Sequence, residues 1–320
     1  MTLRRLWPLA LLAALALSPV VSGNTFYQRV AALVALNALS ASAWNLIGGY
    51  AGQVSFGHSV YFGVGAYAAL LIFTKLGLPP IAGAPLGILA SVAISIVMGV
   101  PTFRLRGHYF SMVTFAIAAL AGLLVVNWNF VGGAIGMMGP ATARSPADLL
   151  FREPLPYYAI FLAVLAVLLL LTQRMQRSRM GFYLRAIGSG ERAAESLGVP
   201  IRRYKLYALL LSGAFTALAG SLYALMIGFV DPDSGFGILI SVNMVVMAAL
   251  GGAGTLFGPL IGAIILVPLA EATNAALGGG SSGAAYVVYG VIIMLIARFS
   301  PGGLAEGWRR LTRLRARGAA

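Results

Sequence analysis

The sequence predicts an all-α, polytopic membrane helical bundle of about ten spans, with one or more broken helices and both termini cytoplasmic. Three observations carry that expectation. Hydrophobic residues make up 60% of the 320-residue chain and charged residues 9%, with a mean hydropathy of +0.90. Soluble domains carry about 25% charge, so this chain could not cover a water-facing surface. Second, the apolar stretches run unbroken for roughly 20 residues, the length of a helix crossing the bilayer, whereas barrel strands are about 10 residues and alternate. Third, the basic side chains behind the net charge of +14 are gathered in a few short segments between apolar spans. That is the positive-inside pattern, and it displaces nucleic-acid binding as the reading of a pI near 10.6.

The spans follow in order. The first covers about 3–22. Arg4 and Arg5 precede an apolar run there, which a signal peptide would also show, but the run is long and no clean cleavage site follows. It is read as a retained span. The second covers about 28–47. The third, about 50–74, is rich in glycine and polar residues and is expected to be broken. The fourth and fifth cover about 84–103 and 107–127, the sixth about 155–173. A long basic loop, 174–205, leads to the last four, at about 206–229, 237–251, 257–276 and 284–299. With the N-terminus inside, Arg104 and Arg106, the 174–205 loop and the arginines of the 301–320 tail all fall on the cytoplasmic side. Asp148, Glu153, Asp231 and Asp233 fall outside. Residues 1–300 thus form one transmembrane domain and 301–320 a basic cytoplasmic tail.

Glycine punctuates two of these segments. Gly48, Gly49, Gly52, Gly57, Gly63 and Gly65 mark one; Gly251, Gly252, Gly254, Gly258 and Gly262 mark the other. Small residues let helices pack closely, and interrupted helices line cavities; both readings stay open. Residues 51–57 read Ala-Gly-x-x-x-Phe-Gly and 253–258 read Ala-Gly-x-x-Phe-Gly, a weak hint of internal duplication.

Enzyme signatures are sparse. There is no cysteine, so no disulfide or thiolate site. The only lysines are Lys75 and Lys205, and no phosphate-cradling Gly-Lys loop exists. His58 and His108 are the only histidines and form no His-Glu-x-x-His pair. No metal site, catalytic group or cofactor of the chain's own is expected. The carboxylate pairs Asp231/Asp233 and Glu191/Glu195 read as solvated.

The 174–205 loop holds the best-defined functional element. Glu191, Arg192, Ala193, Ala194, Glu195, Ser196, Leu197 and Gly198 read as one short helix. Ser189 or Gly190 can cap it, Glu191 suits its N-terminal dipole, and Gly198 followed by Pro200 ends it. Ala193, Ala194 and Leu197 are expected to share an apolar face, with Glu191, Arg192 and Glu195 on another. So short a helix is marginal alone and must dock on something. Its apolar face is too small for strong lipid insertion, which favours a protein groove.

Several stretches resemble the LivM-type permeases of branched-chain amino acid ABC importers. They are Asn45-Leu46-Ile47-Gly48-Gly49-Tyr50-Ala51-Gly52-Gln53-Val54-Ser55-Phe56-Gly57-His58, then Arg106-Gly107-His108-Tyr109-Phe110 with Thr114. Ser178-Arg179-Met180-Gly181 through Glu191 to Gly198 and Lys205 matches, as does Gly251 to Pro259. The likeness runs from about 37 to 300. It departs where the family usually has arginine after Ser-Arg-x-Gly, here Phe182. It departs again where the family reads Ala-Ile-Arg-Glu-Asn-Glu, here Ala186-Ile187-Gly188-Ser189-Gly190-Glu191.

The resemblance implies a permease subunit of the bacterial inner membrane that pairs with a second, LivH-like permease. It implies two ATPase subunits beneath them, which hold the ATP and magnesium, and a periplasmic binding protein that delivers substrate. Residues 191–198 would then be the helix that docks on the ATPase. Candidate translocation-path residues are Asn45, Gln53, Ser55, His58, Tyr109, Thr114, Asn243 and Glu271, for each of which a helix-packing hydrogen bond is the competing role. An intramembrane charge such as Glu271 costs roughly 2.5–3.5 kcal/mol and should face protein or water. Urea or short amides are the alternative cargo. An ion-coupled secondary transporter would want paired intramembrane carboxylates, and Glu271 is the only one clearly within a span.

Overall fold

Eight of the described helices are long and apolar enough to cross a membrane, and each answers to one of the expected spans. A computed structural model describes residues 24–105, 107–139 and 149–276, with positions 290, 291 and 294. The expected first span, most of the tenth, the 301–320 tail, Arg106 and Asp148 lie outside the described residues.

Helix α1, Thr25–Gly48, begins where the Asn24 side chain accepts the Phe26 N–H at 2.9 Å. It packs against four other spans, with a core run of small residues from Ser40 to Ala43. The chain then leaves helical geometry for residues 49–57 before α2, His58–Leu76. The third span is therefore broken at its start, as the glycine density predicts. The segment 49–57 is a loop wedged against α1 and α4. Side chains of α1 and α4 pair several of its backbone groups: Trp44 Nε1 donates to the Ser55 carbonyl at 2.7 Å, Ser111 Oγ to the Val54 carbonyl at 2.7 Å, and the Phe56 N–H to Thr114 Oγ1 at 3.1 Å. Irregular backbone at this depth persists only when so satisfied.

Helices α3, Gly83–Thr102, and α4, His108–Val126, follow. A tiny two-stranded ribbon joins β1, Met137–Met138, to β2, Phe229–Val230, at the end of the bundle opposite loop 49–57. Helix α5, Pro154–Arg177, leads into α6, Arg179–Ser189, and α7, Glu191–Ser196. Helix α8, Ile201–Ile227, starts earlier than expected, because Pro200 ends the preceding loop and Ile201 already winds into the span. Lys205 therefore belongs to α8 and is fully buried.

Helix α9, Pro232–Phe236, and α10, Ile238–Gly251, together supply the eighth span. Alone, the 14 residues of α10 reach about 21 Å, short of a bilayer core. Asp231, expected to be solvated, instead caps α9, accepting the Ser234 N–H at 2.9 Å. Helix α11, Gly258–Ala276, completes the described bundle.

The crossing of α2 and α8 brings two backbones into close contact. A side chain at Gly65 would collide with the Ala217 carbonyl, and one at Gly220 with the Phe62 carbonyl. Backbones this close let van der Waals contact hold helices that lipid would not otherwise drive together. Outward, α4 presents Tyr109, Met112, Leu120, Leu123 and Leu124, an exposed apolar face suited to acyl chains.

Candidate coupling and translocation site

Three features gather at the basic end of the bundle: loop 49–57, the α6–α7 hairpin, and the 252–257 loop between α10 and α11. The hairpin forms because Gly190, in extended geometry, breaks the chain between two helical runs. The expected short helix is present as α7, two residues shorter, and a further helix, α6, precedes it where the sequence predicts only loop. Ser189 closes α6, its hydroxyl donating to the Arg185 carbonyl at 2.9 Å, so it does not cap α7. Gly198 takes the left-handed stop as expected, with φ +79 and its N–H on the Glu195 carbonyl at 2.9 Å.

The faces of α7 differ from the expected pattern. Ala194 is buried, whereas Ala193 is exposed and Leu197 is 82% exposed. Glu191 turns inward. Positions three apart share a helical face, so Glu191 and Ala194 together meet the bundle. Arg192, Ala193, Glu195, Ser196 and Leu197 are left on the outside.

Glu191 is the anchor. Its Oε1 accepts from Lys205 Nζ at 2.6 Å and from Gln53 Nε2 at 2.8 Å. The Lys205 side chain is 0% exposed and that of Glu191 17%. The ammonium also stands 5.9 Å from the centre of the Phe103 ring. One carboxylate thereby ties α7 to loop 49–57 and to α8. A charge-assisted pair at this depth is strong in geometry, and removing either partner is costly. The same docking is tightened by backbone. A side chain on Gly188 would come within 2.8 Å of the Tyr50 carbonyl, and Gly52, at φ +67, lies directly against Gly188. Gln176 of α5 donates to the Tyr50 hydroxyl.

Five of the eight candidate path residues converge on loop 49–57 and work there as fasteners. Asn45 donates to the Thr255 carbonyl at 2.9 Å and accepts the Gly254 N–H at 2.8 Å, pinning the 252–257 loop to α1. Thr114 holds Phe56, as above, and Gln53 holds Glu191. Ser55 Oγ lies 3.2 Å from His58 Nδ1, and His58 Nε2 lies 2.7 Å from Ser212 Oγ. Ser212 spends its own proton on the Ala43 carbonyl at 2.6 Å, so Nε2 of His58 must be the donor and Nδ1 the acceptor. Tyr109 is 71% exposed, and Asn243 and Glu271 are half-buried. Among the described residues these three make no hydrogen bond to the network.

Against this geometry, the family described as "Branched-chain amino acid transport system / permease component" matches residues 26–297. The chain belongs to that family. It is 30% identical over 246 residues to the high-affinity branched-chain amino acid transport system permease protein LivM of Escherichia coli K12, covering 70% of this chain. It spans 58% of that relative's length. LivH of the same organism is 26% identical over 258 residues, covering 75% of this chain and 82% of LivH. The autoinducer 2 import system permease protein LsrC of Klebsiella pneumoniae is 34% identical over 110 residues, covering 33% of this chain and 32% of LsrC.

The two departures from the family pattern have a place in this structure. Gly188, standing where an arginine is usual, is what lets α6 lie on Gly52. Phe182 is 63% exposed, with the Arg185 guanidinium 5.0 Å from its ring centre. Sequence reasoning missed Ser212 and Trp44, both of which complete the loop's hydrogen bonds. A serine or tryptophan inside an apolar run is a faint signal, since either can also face lipid or its own helix. Lys205 offered a clearer one: a lone lysine where a span begins.

Proposed function

We propose that this chain is a multi-pass permease subunit of an ATP-driven importer in the bacterial inner membrane, carrying branched-chain amino acids. The observation that supports this most is the docked hairpin. A six-residue helix, too short to persist alone, is held to the bundle by Glu191 and turns Leu197 and Arg192 outward. An exposed leucine beside a basic and an acidic side chain fits a groove on a partner protein better than it fits water. In this reading the partner is one of two ATPase subunits, which hold the nucleotide and its magnesium; the chain itself carries neither. Closure of the ATPases moves α7. The Glu191 anchor passes that movement to loop 49–57 and α8, and hence to the bundle, a two-state element biased at a distance. A second, LivH-like permease completes the pathway, and a periplasmic binding protein supplies the cargo. The basic end, with both chain termini, faces the cytoplasm.

Urea and short amides are the alternative cargo. The test is uptake in proteoliposomes containing the chain and its partner subunits, with leucine, isoleucine, valine and urea in competition. Leucine uptake that needs ATP and is blocked by isoleucine and valine supports the proposal. Uptake of urea alone reassigns the cargo. Uptake driven by an ion gradient without ATP overturns the proposal.

A further inference from the structure

We propose that the basic end carries a binding site for one anionic phospholipid, between the end of α3 and the start of α8. A groove of about 140 Å³ opens there. Its floor is apolar, formed by Gly99, Val100, Phe103 and Leu206, and its rim carries Arg104, Arg202 and Arg203. All three arginines are exposed, and none of the groove's residues is acidic.

Size narrows the occupant. Sites for small organic ligands occupy about 300–1,000 Å³, so this groove is too small to enclose one. It suits a phosphodiester whose remainder lies elsewhere. The surface above it provides the place: Val97 and Val100, on one face of α3, are 74% and 51% exposed. That strip runs from the groove up the lipid-facing side of the span. Acyl chains would lie along it with the phosphate among the guanidinia, which offer paired N–H donors matched to phosphate oxygens. A basic pocket between spans at the membrane surface is the arrangement that holds anionic headgroups. Phe103 also borders Lys205, so an occupied groove abuts the anchor of α7.

The test uses the purified full chain in detergent, titrated with phosphatidylglycerol, with phosphatidylcholine of the same chains, and with inorganic phosphate. Bound molecules are counted by native mass spectrometry. One phosphatidylglycerol should be retained in preference to phosphatidylcholine, and free phosphate should not displace it. The Arg104→Gln/Arg202→Gln/Arg203→Gln variant should lose that lipid by roughly tenfold or more. An Arg174→Gln/Arg177→Gln/Arg179→Gln variant removes equal charge from exposed positions at the same end and should keep it. Equal loss in both variants would mean diffuse attraction and overturn the site. So would equal retention of phosphatidylcholine, or displacement by phosphate alone. Should the groove variant fail to fold, a photoreactive phosphatidylglycerol decides the matter on the unmodified chain. Labels within 97–104 and 202–207 support the site, and labels spread over other segments refute it.

Discussion

Replacing Glu191 by alanine should release α7 from the bundle. The substitution leaves the Lys205 ammonium, 0% exposed, without the carboxylate 2.6 Å away, and it deprives Gln53 of its acceptor. Breaking a buried ion pair by removing one partner costs about 3–5 kcal/mol. Glu191 retains 17% exposure, which lets some water reach the site and places the cost near the lower bound, about 3 kcal/mol. Since 1.4 kcal/mol is a factor of ten, the equilibrium constant for docking of α7 should fall by roughly a hundredfold. Amide hydrogen exchange across 186–198 measures this directly, and the ratio of uptake to ATP hydrolysis in proteoliposomes measures its consequence. Lys205→Met should be milder, because Glu191 keeps the Gln53 amide as a donor and lies on a short surface helix where water reaches it. The Glu191→Ala/Lys205→Met double variant should cost less than the sum of the singles, as expected for residues in contact. Unchanged exchange in Glu191→Ala, or strict additivity in the cycle, would refute the anchor.

Other sites give further expected outcomes. Gly188→Val places a side chain against the Tyr50 carbonyl and should cost about 1–3 kcal/mol, seen as a lower midpoint of thermal unfolding in detergent. Gly220→Ala drives a methyl into the Phe62 carbonyl, where neither backbone can yield, and should abolish monodisperse protein in size-exclusion chromatography. Ser212→Ala strips the buried His58 Nε2–H of its acceptor and should lower stability by about 1–3 kcal/mol in the same thermal assay, whereas Ser212→Thr keeps a hydroxyl and should lose less. Gly198→Pro removes the N–H that closes α7 and should uncouple ATP hydrolysis from uptake while the bundle stays folded; normal uptake would count against the coupling role.

The spans were legible because lipid imposes a length and a hydropathy that few other environments demand. Positions such as Gly198 were equally plain, since a glycine followed by Val-Pro after a helical run has few alternatives. The interior of the site was much less legible. Asn45, Gln53, Ser55, His58 and Thr114 stood out only as polar groups in apolar surroundings. Nothing local distinguishes a residue that meets a solute from one that fastens a loop. That difference depends on contacts such as Asn45 with Thr255, 210 positions apart, and Gln53 with Glu191, 138 apart. The inward turn of Glu191 was hidden for the same reason. Helical periodicity paired it with Arg192 and Glu195 on a solvated face, but Lys205, one turn inside the next span, draws it to the bundle. The short helix at 191–198 was legible but α6 before it was not; Ser189 and Gly190 both suit a cap, and only the extent of α6 decides between them.

In the proposed mechanism α7 carries the work of ATP hydrolysis into this bundle through Glu191. The most direct measurement is leucine uptake by proteoliposomes holding the chain, a second permease, the ATPases and a binding protein, with unmodified chain and Glu191→Ala side by side. The unmodified chain should give ATP-dependent accumulation, and the variant ATP hydrolysis that continues while accumulation collapses. Accumulation by the variant equal to that of the unmodified chain would contradict that mechanism.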